Sequence, residues 1–256
     1  MKPKKSLGQN FMRCRWVADT MIRAAEVATS DAILEIGPGS GALTRPLARA
    51  AKSVIAIEKD EALARALQQS LAKEGIENVE IIEGDILRLP KTRFKNVKFK
   101  VVSNIPYYLT SRLFRYFLDS APRPETIVFT VQKEVAERIT ARPPDMNLLA
   151  LSVTAFGKAE KLKNIPRECF SPKPDVESAV IRISGISDGF FKKNGVAPEE
   201  FFSLAREAFS KKRKMISSSL KKRVAPEIFE KAGVKKTARP QELGIEEWAR
   251  LCRAAI

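Results

Sequence analysis

The chain contains no histidine among its 256 residues. Histidine is the side chain most often used as a general acid or base near neutral pH, and it is the commonest metal ligand. Cysteine is scarce as well, because Cys14, Cys169 and Cys252 stand far apart and form no C-x-x-C pair. This spacing argues against a disulfide framework and against a zinc site, and it favours a reducing compartment. We therefore predict chemistry that works without histidine and without a bound metal.

Long apolar segments are also missing. No apolar run approaches the ~20 residues that a membrane-spanning helix needs, and the basic amino-terminal stretch lacks the apolar core of a secretory signal. We predict a cytoplasmic protein with no membrane partner. Positive charge is abundant instead, since 46 Lys and Arg residues against 30 Asp and Glu residues give a net charge of +16. That surplus favours nucleic acid as the partner over a merely solvated basic surface.

Short apolar runs typical of β-strands alternate with helical patterns along the first part of the chain. The predicted strands are Ala32–Ile36, Ser53–Glu58, Val79–Ile82, Phe99–Ser103, Ile127–Val131, Leu149–Phe156 and Val176–Ile183. Between most of them lie helical patterns, at Asp60–Lys73 (with Asp60 suited to be its N-cap), Leu109–Leu118 and Gln132–Ala141. Such alternation predicts an α/β fold with a Rossmann-like, mostly parallel sheet. No helix separates the last two predicted strands, so we expect an antiparallel end to the sheet.

The composition changes near residue 184, where Gly, Ser and Asp interrupt the apolar pattern. Beyond this point only helical periodicity is visible. The chain after residue 183 has 16 basic and 9 acidic residues, which contributes 16 − 9 = +7 to the net charge. We therefore predict a catalytic domain in residues 1–183 and a small, basic, helical RNA-binding domain in residues 184–256.

A glycine-rich segment follows the first predicted strand and opens a helix. Its Gly37 and Gly39 allow the backbone to approach a ligand closely, at the edge where doubly wound sheets bind nucleotides. The spacing is G-x-G-x-G rather than the G-x-G-x-x-G of dinucleotide folds, and a plain tight turn is the competing interpretation. Glu58 ends the second strand, where an acid accepts hydrogen bonds from ribose hydroxyls, and Asp85 follows the third, where it can accept from an adenine amine. Each acid alone could be a helix cap, but together they favour a nucleoside cofactor such as S-adenosylmethionine.

The segment Asn104-Ile105-Pro106-Tyr107 follows the fourth predicted strand. The N6 amine of adenine is a poor nucleophile because its lone pair is delocalised into the ring. The Asn104 side-chain oxygen and a rigid backbone carbonyl from Ile105 or Pro106 can accept hydrogen bonds from that amine and relocalise the pair. Tyr107 offers a face on which an extruded base can stack. The alternative is a β-turn followed by core aromatics.

Several segments together resemble the KsgA family of small-subunit ribosomal RNA adenine dimethyltransferases, with Erm-type large-subunit enzymes as near relatives. The matching segments are Leu7-Gly8-Gln9-Asn10-Phe11, Glu35-Ile36-Gly37-Pro38-Gly39, Gly84-Asp85, Asn104-Ile105-Pro106-Tyr107, Val131-Gln132-Lys133-Glu134-Val135-Ala136 and Phe170-Ser171-Pro172-Lys173-Pro174-Asp175-Val176-Glu177-Ser178. The resemblance implies transfer of methyl groups from S-adenosylmethionine to N6 of two adjacent adenosines near the 3′ end of small-subunit rRNA. It also implies action on a pre-30S-type particle during ribosome biogenesis. Because the sequence shows no obvious dimer seam, we expect a monomer.

The resemblance assigns roles to individual residues. The residues that it implies contact the cofactor are Asn10, Met12, Gly37, Glu58, Asp85 and Asn104. Phe170 is implied to face Tyr107 across the target base, although the residue alone would be interpreted as a core phenylalanine. Met12 stands where the family usually has Leu. Residues 143–149 replace a Gly-x-x-x-Tyr-Gly stretch of the family, which leaves the conformation of that loop open.

The basic run Lys211, Lys212, Arg213 and Lys214 resembles the KsgA-type tail more than the Erm type. We interpret it as one face of an amphipathic helix suited to RNA phosphates, with a membrane-surface or calmodulin-binding helix as the competing idea. Two other functions stay open: an Erm-type large-subunit methyltransferase, and a non-catalytic ribosome-assembly or RNA-binding factor. Intact Asn104, Pro106 and Tyr107 argue against lost catalysis.

Overall fold

The structure is a computed structural model that describes residues 8–95, 97–211 and 213–255. These residues form two compact units. One contains the chain as far as Ala136 together with Ala159–Ile186, and the other contains Glu137–Lys158 together with the chain from Ser187 onward. The second boundary lies within a few residues of the predicted one at 183/184. The division differs from the prediction in residues 137–158, which pack with the carboxy-terminal unit.

The strands belong to the first unit, except for Lys158 at the start of one of them. They are β1 (Phe11–Met12), β2 (Ala32–Ile36), β3 (Ser53–Glu58), β4 (Val79–Glu83), β5 (Phe99–Asn104), β6 (Thr126–Gln132), β7 (Lys158–Ile165), β8 (Phe170–Ser171) and β9 (Ser178–Ser184). The helices between them are α1 (Arg15–Ala24), α2 (Thr44–Ala50), α3 (Glu61–Lys73), α4 (Thr110–Leu118) and α5 (Lys133–Ile139), of which the last continues into the second unit.

Seven of the described strands form one sheet in the order β4-β3-β2-β5-β6-β9-β7. β2, β3, β4, β5 and β6 pair in parallel, whereas β9 pairs with β6 in antiparallel fashion. The central strands are rich in Val and Ile and are buried, as parallel strands covered by helices on both faces require. The predicted α/β fold with a mostly parallel sheet and an antiparallel end is confirmed.

The helix α3 shows how local sequence sets these elements. Asp60 is its N-cap, and its carboxylate accepts a hydrogen bond from the Ala62 N–H at 3.1 Å. Leu63, Leu67 and Leu71 recur every four residues and are all buried, so one apolar stripe packs on the sheet. The predicted helix and its cap are therefore confirmed.

One predicted strand is wrong. The apolar run that we interpreted as the strand Leu149–Phe156 is a helix, α6 (Leu148–Thr154). Asn147 caps it, because its side-chain oxygen accepts from the N–H groups of Leu149 and Ala150, each at 3.1 Å. The strand that we missed is β7, which follows directly and lies within the segment that we interpreted as a connection. Its mostly exposed, lysine-rich sequence hides the strand signal, as is usual for a protected sheet edge.

The cysteine prediction is also wrong. Cys14 and Cys169 form a disulfide with their Cα atoms 5.0 Å apart, while Cys252 is a buried free thiol. The bond lies beside the short antiparallel pair of β1 and β8, in which Met12 faces Phe170. The two cysteines are 155 residues apart, so their pairing leaves no trace in local spacing. Unpaired cysteines consequently no longer argue for a reducing compartment.

The second unit is helical in its described part. Its helices after α6 are α7 (Gly189–Asn194), α8 (Pro198–Phe209), α9 (Ile216–Ser219), α10 (Pro226–Lys231) and α11 (Ile245–Ala255). Aromatic rings fill its core, including Phe209 stacked on the fully buried Trp248 with the ring centroids 5.6 Å apart. No helix in the described part of the chain has the length and apolar composition that crossing a bilayer needs.

The basic run does not continue the helix that precedes it. α8 ends at Phe209, and Lys211, Arg213 and Lys214 are exposed residues in the turns that follow. Lys212 lies outside the described residues. The prediction of a continuous amphipathic helix through this run is therefore wrong, because the backbone leaves the helix before the charges begin.

The disulfide gives a stability prediction. In the chain-entropy model a cross-link across about 155 residues stabilises by roughly 5 kcal/mol, and measured values are typically 2–4 kcal/mol. Dithiothreitol should therefore lower the urea midpoint of the wild type, while Cys14→Ser should start at the lower midpoint and not respond to the reductant.

Cys252→Ser is the matched control, because it removes the buried free thiol and should keep the full response to dithiothreitol. Thiol titration of the unreduced, denatured wild type should find one free thiol. Three free thiols would show that Cys14 and Cys169 are not joined.

Candidate active site

The carboxyl ends of the parallel strands β2, β3, β4 and β5 meet at one edge of the sheet, where an open cleft of about 850 Å³ including its mouth is found. We call it the strand-end cleft. The sequence-predicted residues that line it are Asn10, Met12, Gly37, Gly39, Glu58, Asp85, Asn104 and Pro106. Residues that lie up to 96 positions apart in the chain are thus brought to one place by the parallel order of the strands. This is the crevice in which doubly wound sheets bind ligands.

The glycine loop after β2 forms one wall of the strand-end cleft. Gly37 and Gly39 have φ values of +66° and +55°, a left-handed conformation that side chains rarely adopt. A Cβ on Gly39 would lie 2.8 Å from the ring of Phe11, so the loop packs tightly against β1. A Cβ on Gly37 would meet only Pro106, at 3.9 Å. Gly37 therefore leaves open space on the cleft side, as a close approach by a ligand requires.

Glu58 ties the glycine loop to the end of β3. Its buried carboxylate accepts hydrogen bonds from the N–H groups of Gly39 at 3.1 Å and Asp60 at 2.9 Å. Burial raises the pKa of Glu58, and these two N–H groups oppose the rise. A carboxylate has about four lone-pair sites. Glu58 therefore retains acceptor capacity toward the cleft after fixing the loop.

Asp85 is the N-cap of a 3₁₀ turn that follows β4. Its carboxylate accepts from the Leu87 N–H and pairs with the Lys59 ammonium, each at 3.1 Å. Burial raises the pKa of Asp85, but the Lys59 and Leu87 hydrogen bonds outweigh it and hold the pKa below its usual value. Asp85 is thus both a cap and an ionised acid on the cleft wall. Lys59, which the sequence analysis missed, also lines the cleft.

The side-chain amide of Asn104 is held from two directions. Its Nδ2 donates to the backbone carbonyl of Asn10 at 3.0 Å, and its Oδ1 accepts from the hydroxyl of Thr130. Because the Asn10 carbonyl can only accept, the amide has one possible orientation. One lone pair of Oδ1 remains beyond the bond from Thr130. Thr130 lies opposite Asn104 in the β5–β6 register and is fully buried, a positioning residue that the sequence analysis missed.

The two backbone carbonyls after Asn104 differ in their partners. The Pro106 carbonyl accepts the Leu109 N–H at 3.0 Å and closes a 3₁₀ turn. The Ile105 carbonyl accepts no hydrogen bond from any residue that the structure describes. Both residues line the strand-end cleft. Of the two carbonyls that the sequence analysis left as alternatives, Ile105 therefore has the greater unused acceptor capacity, with two lone pairs against one at Pro106.

The aromatic residues near the cleft occupy different positions. Tyr107 is half-buried, and its hydroxyl is 2.5 Å from the Ser178 hydroxyl at the start of β9. Tyr108, which the sequence analysis left without a role, lines the strand-end cleft and is half exposed. Phe170 is 3% exposed and packs in the hydrophobic cluster with Met12 and Ile165. Within the described residues, the cleft lining includes Tyr108 but neither Tyr107 nor Phe170.

Glu35 is a third acid of the cleft, and the sequence analysis did not assign it to the site. It lines the strand-end cleft and is 1% exposed, and its Oε2 has no hydrogen-bond partner among the described residues. Burial raises the pKa of Glu35 to about 8; the nearby Thr44 hydroxyl opposes the rise and the Glu58 charge adds to it. The Thr44 hydroxyl lowers the pKa of Glu35 because it lies close to the carboxyl, although it makes no hydrogen bond of ordinary geometry within the described chain. The cleft thus holds an acid that ionises readily only beside a positive charge.

The family model and the relatives that match this sequence both describe enzymes that methylate ribosomal RNA. A family model described as ribosomal RNA adenine dimethylase matches residues 1–255. A relative from Dehalococcoides mccartyi, named ribosomal RNA small subunit methyltransferase A, is 36% identical over 260 residues, which cover 98% of this chain and 88% of the relative.

Comparison with solved structures gives the same fold. A dimethyladenosine transferase from Plasmodium falciparum superposes with a TM-score of 0.82 at 27% identity, over 94% of this chain and 95% of that one. The 23S rRNA methyltransferase ErmE superposes with a TM-score of 0.78 at 28% identity, over 96% of this chain and 99% of that one. Both similarities span the two units.

Glu35 gives a prediction of how stability depends on pH. In the unfolded chain its carboxyl ionises near 4.5, whereas in the folded chain the pKa is about 8. Between these values unfolding releases a proton, so the free energy of unfolding should fall as pH rises from about 4.5 to about 8. The loss approaches roughly 5 kcal/mol for this group. Glu35→Gln should remove this contribution, as urea unfolding at pH 5 and pH 8 would measure.

Glu83→Gln is the matched control, because it makes the same chemical change at an exposed position at the end of β4. It should keep the pH dependence of the wild type. If Glu35→Gln and the wild type change equally between pH 5 and pH 8, the Glu35 carboxyl is not neutral in the folded protein.

Proposed function

Because this chain belongs to the ribosomal RNA adenine dimethylase family, we propose that it dimethylates N6 of two adjacent adenosines near the 3′ end of small-subunit rRNA. The methyl donor would be S-adenosylmethionine. The observation that carries this proposal is the fixed Asn104 amide, which keeps an acceptor lone pair beside a cleft suited to a nucleoside.

The residues of the strand-end cleft fit this cofactor. Gly37 leaves the space that a close ligand needs, and Glu58 keeps acceptor capacity for ribose hydroxyls. Asp85 would accept from the adenine amine, with Asn10 and Met12 closing the cleft from the amino-terminal side. When bound, the cofactor supplies an electrophilic methyl group on a sulfonium. The Glu35 Oε2 atom, which has no hydrogen-bond partner among the described residues, supports binding of a positively charged molecule.

Asn104 and Ile105 would activate the target amine. In the first transfer the two acceptors, Asn104 Oδ1 and the Ile105 carbonyl, would each accept a hydrogen bond from one N–H of N6 and localise its lone pair toward the methyl group. The amine would release one proton to water with each methyl group that it gains, and its remaining N–H would hold it for the second transfer. No histidine is needed, because positioning and hydrogen-bond acceptance supply the activation. Asn104 lies at the end of the strand β5, and Pro106 precedes a rigid 3₁₀ turn. These two positions would hold the geometry without reorganisation.

A flipped adenine also needs a stacking surface. Tyr107 and Phe170 are the candidates from the sequence, and each would have to turn an aromatic face toward the base. Tyr108 is a further candidate, because half of it is exposed on the cleft lining. Base stacking on an aromatic ring is worth about 1–3 kcal/mol.

The RNA would bind mainly through positive charge. The exposed Lys211, Arg213 and Lys214 are suited to phosphates, and Lys212 belongs to the same run. We assign the enzyme to the cytoplasm as a monomer acting on a pre-30S-type particle during small-subunit biogenesis. The assignment to the cytoplasm rests on the substrate and not on the cysteines.

A large-subunit substrate is the second candidate, favoured by the TM-score of 0.78 to the 23S rRNA methyltransferase ErmE. Sequence supports the small subunit instead, since the small-subunit methyltransferase relative is 36% identical and ErmE is 28% identical. A non-catalytic assembly factor would not need an amide clamped as Asn104 is.

The function is tested by incubating the protein and tritiated S-adenosylmethionine with ribosomal subunits from cells that lack the activity. Label should enter the small subunit, and nuclease digestion should release N6,N6-dimethyladenosine at about two residues per particle. Label that enters the large subunit alone would overturn the small-subunit assignment, and no label in either would favour the assembly factor.

The proposed activation makes a graded prediction. Asn104→Ala removes one of the two acceptors and should slow single-turnover methylation by at least about 100-fold, by analogy with loss of one preorganised hydrogen bond. Thr130→Val removes the hydrogen bond that holds the Asn104 oxygen and should slow single-turnover methylation by roughly tenfold, which corresponds to about 1.4 kcal/mol.

Thr130→Ser is the matched control, because it retains the hydroxyl that donates to Asn104 and should keep most of the rate. RNA affinity should stay close to wild type in all three variants, since phosphate contacts elsewhere supply it. Wild-type methylation by Asn104→Ala would refute amine activation by this amide.

A further inference from the structure

A second pocket, of about 620 Å³ including its mouth, lies beside the strand-end cleft and is rich in arginine. Arg13 and Arg15 reach it from the junction of β1 and α1, and Arg45 and Arg49 reach it from α2, where they are neighbours at i and i+4. The remaining lining residues are uncharged: Met12, Cys14, Ala42 and Pro46. We call this the arginine pocket. Within the described residues its lining contains four cations and no acid.

Arg45 serves the structure of the pocket and is not available for a ligand. Its guanidinium makes a forked pair with Glu74, with Nε 2.8 Å and Nη2 2.7 Å from the carboxylate oxygens. It also donates to the Ser70 hydroxyl and to the Ser40 carbonyl in the glycine loop, each at 2.8 Å. Arg45 thereby neutralises Glu74 and joins α2 to the wall of the strand-end cleft.

Arg13, Arg15 and Arg49 remain as exposed cations. Among the described residues, Arg13 and Arg15 make no ion pair, and Arg49 contributes only to the positive field around Glu74. Three guanidinium groups around one concave space repel one another unless an anion lies between them. The pocket is therefore suited to a ligand with negative charge and several hydrogen-bond acceptors.

The backbone that carries these arginines is held firmly. The Arg13 N–H donates to the Cys169 carbonyl at 2.8 Å, and the Cys14–Cys169 disulfide follows in the next residue. Arg15 begins α1, and Arg49 lies in the last turn of α2. Because these backbones are already anchored, binding of an anion has to order only the side chains.

The arginine pocket shares two walls with the strand-end cleft, because Met12 and Ala42 line both. An RNA strand that places an adenosine against Asn104 carries phosphodiesters on both sides of that nucleotide. A cationic pocket next to the cleft is therefore located where a flanking phosphate passes. Guanidinium groups bind phosphate oxygens in forked pairs, which fixes the position of the strand as well as neutralising it.

We propose that Arg13, Arg15 and Arg49 form a binding site for the RNA phosphodiesters that flank the target adenosine. This inference rests on the proposed function, which supplies the RNA. The site belongs to the first unit, whereas the basic run at residues 211–214 belongs to the second. Its role is to hold the strand so that the target base reaches Asn104.

The test is a triple variant, Arg13→Gln with Arg15→Gln and Arg49→Gln, measured with an unmethylated 3′-terminal fragment of small-subunit rRNA. Each single-strand phosphate contact contributes about 0.7 to the slope of log affinity against log salt. Loss of three contacts should therefore lower the slope by about 2 and weaken binding roughly 50-fold at 0.15 M salt. Calorimetry should find unchanged affinity for S-adenosylmethionine.

Two further triple variants are the controls. Arg23→Gln with Lys52→Gln and Lys73→Gln removes the same charge from exposed positions of this unit, and Arg23 lies on α1 about 12 Å along the helix from Arg15. This variant should change binding by less than about threefold. Arg13→Lys with Arg15→Lys and Arg49→Lys retains the charge and should retain most of the salt slope.

The outcomes separate this inference from the proposed function. Equal salt slopes for the pocket and control Gln variants would overturn the phosphate site, whatever the enzyme methylates. Weakened S-adenosylmethionine binding in the pocket variant would assign the arginines to the cofactor and also overturn it. Wild-type protein that binds RNA but methylates no small-subunit rRNA would refute the proposed function. The salt slopes of the Gln variants would still show whether the arginine pocket binds phosphate.

Discussion

The hydrogen bond from the Asn104 side chain to the Asn10 carbonyl is the contact on which the site depends. It joins residues 94 positions apart, and it exists only if β5 is in register with β6 and the amino-terminal segment lies across the strand ends. Thr130 supplies the opposing bond from the neighbouring strand. An amide held by the Asn10 carbonyl alone would keep its nitrogen there, but its oxygen could swing away from the position that the base requires. Held on both sides, it presents an acceptor, and the remainder of the cleft is arranged around that fixed group.

The amino-terminal segment is kept in place by contacts that have no catalytic role. β1 pairs with β8, the Arg13 N–H bonds to the Cys169 carbonyl, and the disulfide closes the arrangement from Cys14. A two-residue strand pair is weak alone, since short isolated pairings are marginal in water. The covalent bond compensates for that weakness. The disulfide at Cys14, four residues away, thus helps to fix the position of the Asn10 carbonyl. Phe170 packs in the same hydrophobic cluster as Met12.

The sequence predicts the parallel core well because its strands carry a strong signal. β2 and β3 have the predicted bounds. The predicted β4 and β5 are one residue short at one end, and the predicted β6 is one residue short at each end. Buried runs of Val and Ile between helical patterns leave few alternatives for these strands. The residues of the strand-end cleft could be predicted for the same reason, since polar residues at the carboxyl ends of parallel strands must lie together.

The remaining elements were hidden for identifiable physical reasons. A short apolar run does not distinguish a strand from a buried helix, and at α6 the cap by Asn147 decided the outcome. β7 is a polar edge strand whose pairing comes from the sheet and not from its own pattern. Thr130, Glu35 and the Cys14–Cys169 bond depend on register or on long-range contact. No local spacing in one sequence encodes such proximity, so these features required the structure.

The distribution of charge bears on how RNA recognition is divided. The chain after residue 183 accounts for +7 of the net charge of +16, so 16 − 7 = +9 belongs to residues 1–183. The basic run at 211–214 therefore cannot represent the whole electrostatic attraction for RNA. Phosphate contacts position a strand but carry no sequence information. Under the proposed function, selection of adenosine must come from groups that touch the base. Those groups are few and uncharged, namely the Asn104 amide, the Ile105 carbonyl and the aromatic rings near them. A surface that attracts any RNA can thus serve a specific reaction, because only a base whose N6 donates to these acceptors reaches the reactive geometry.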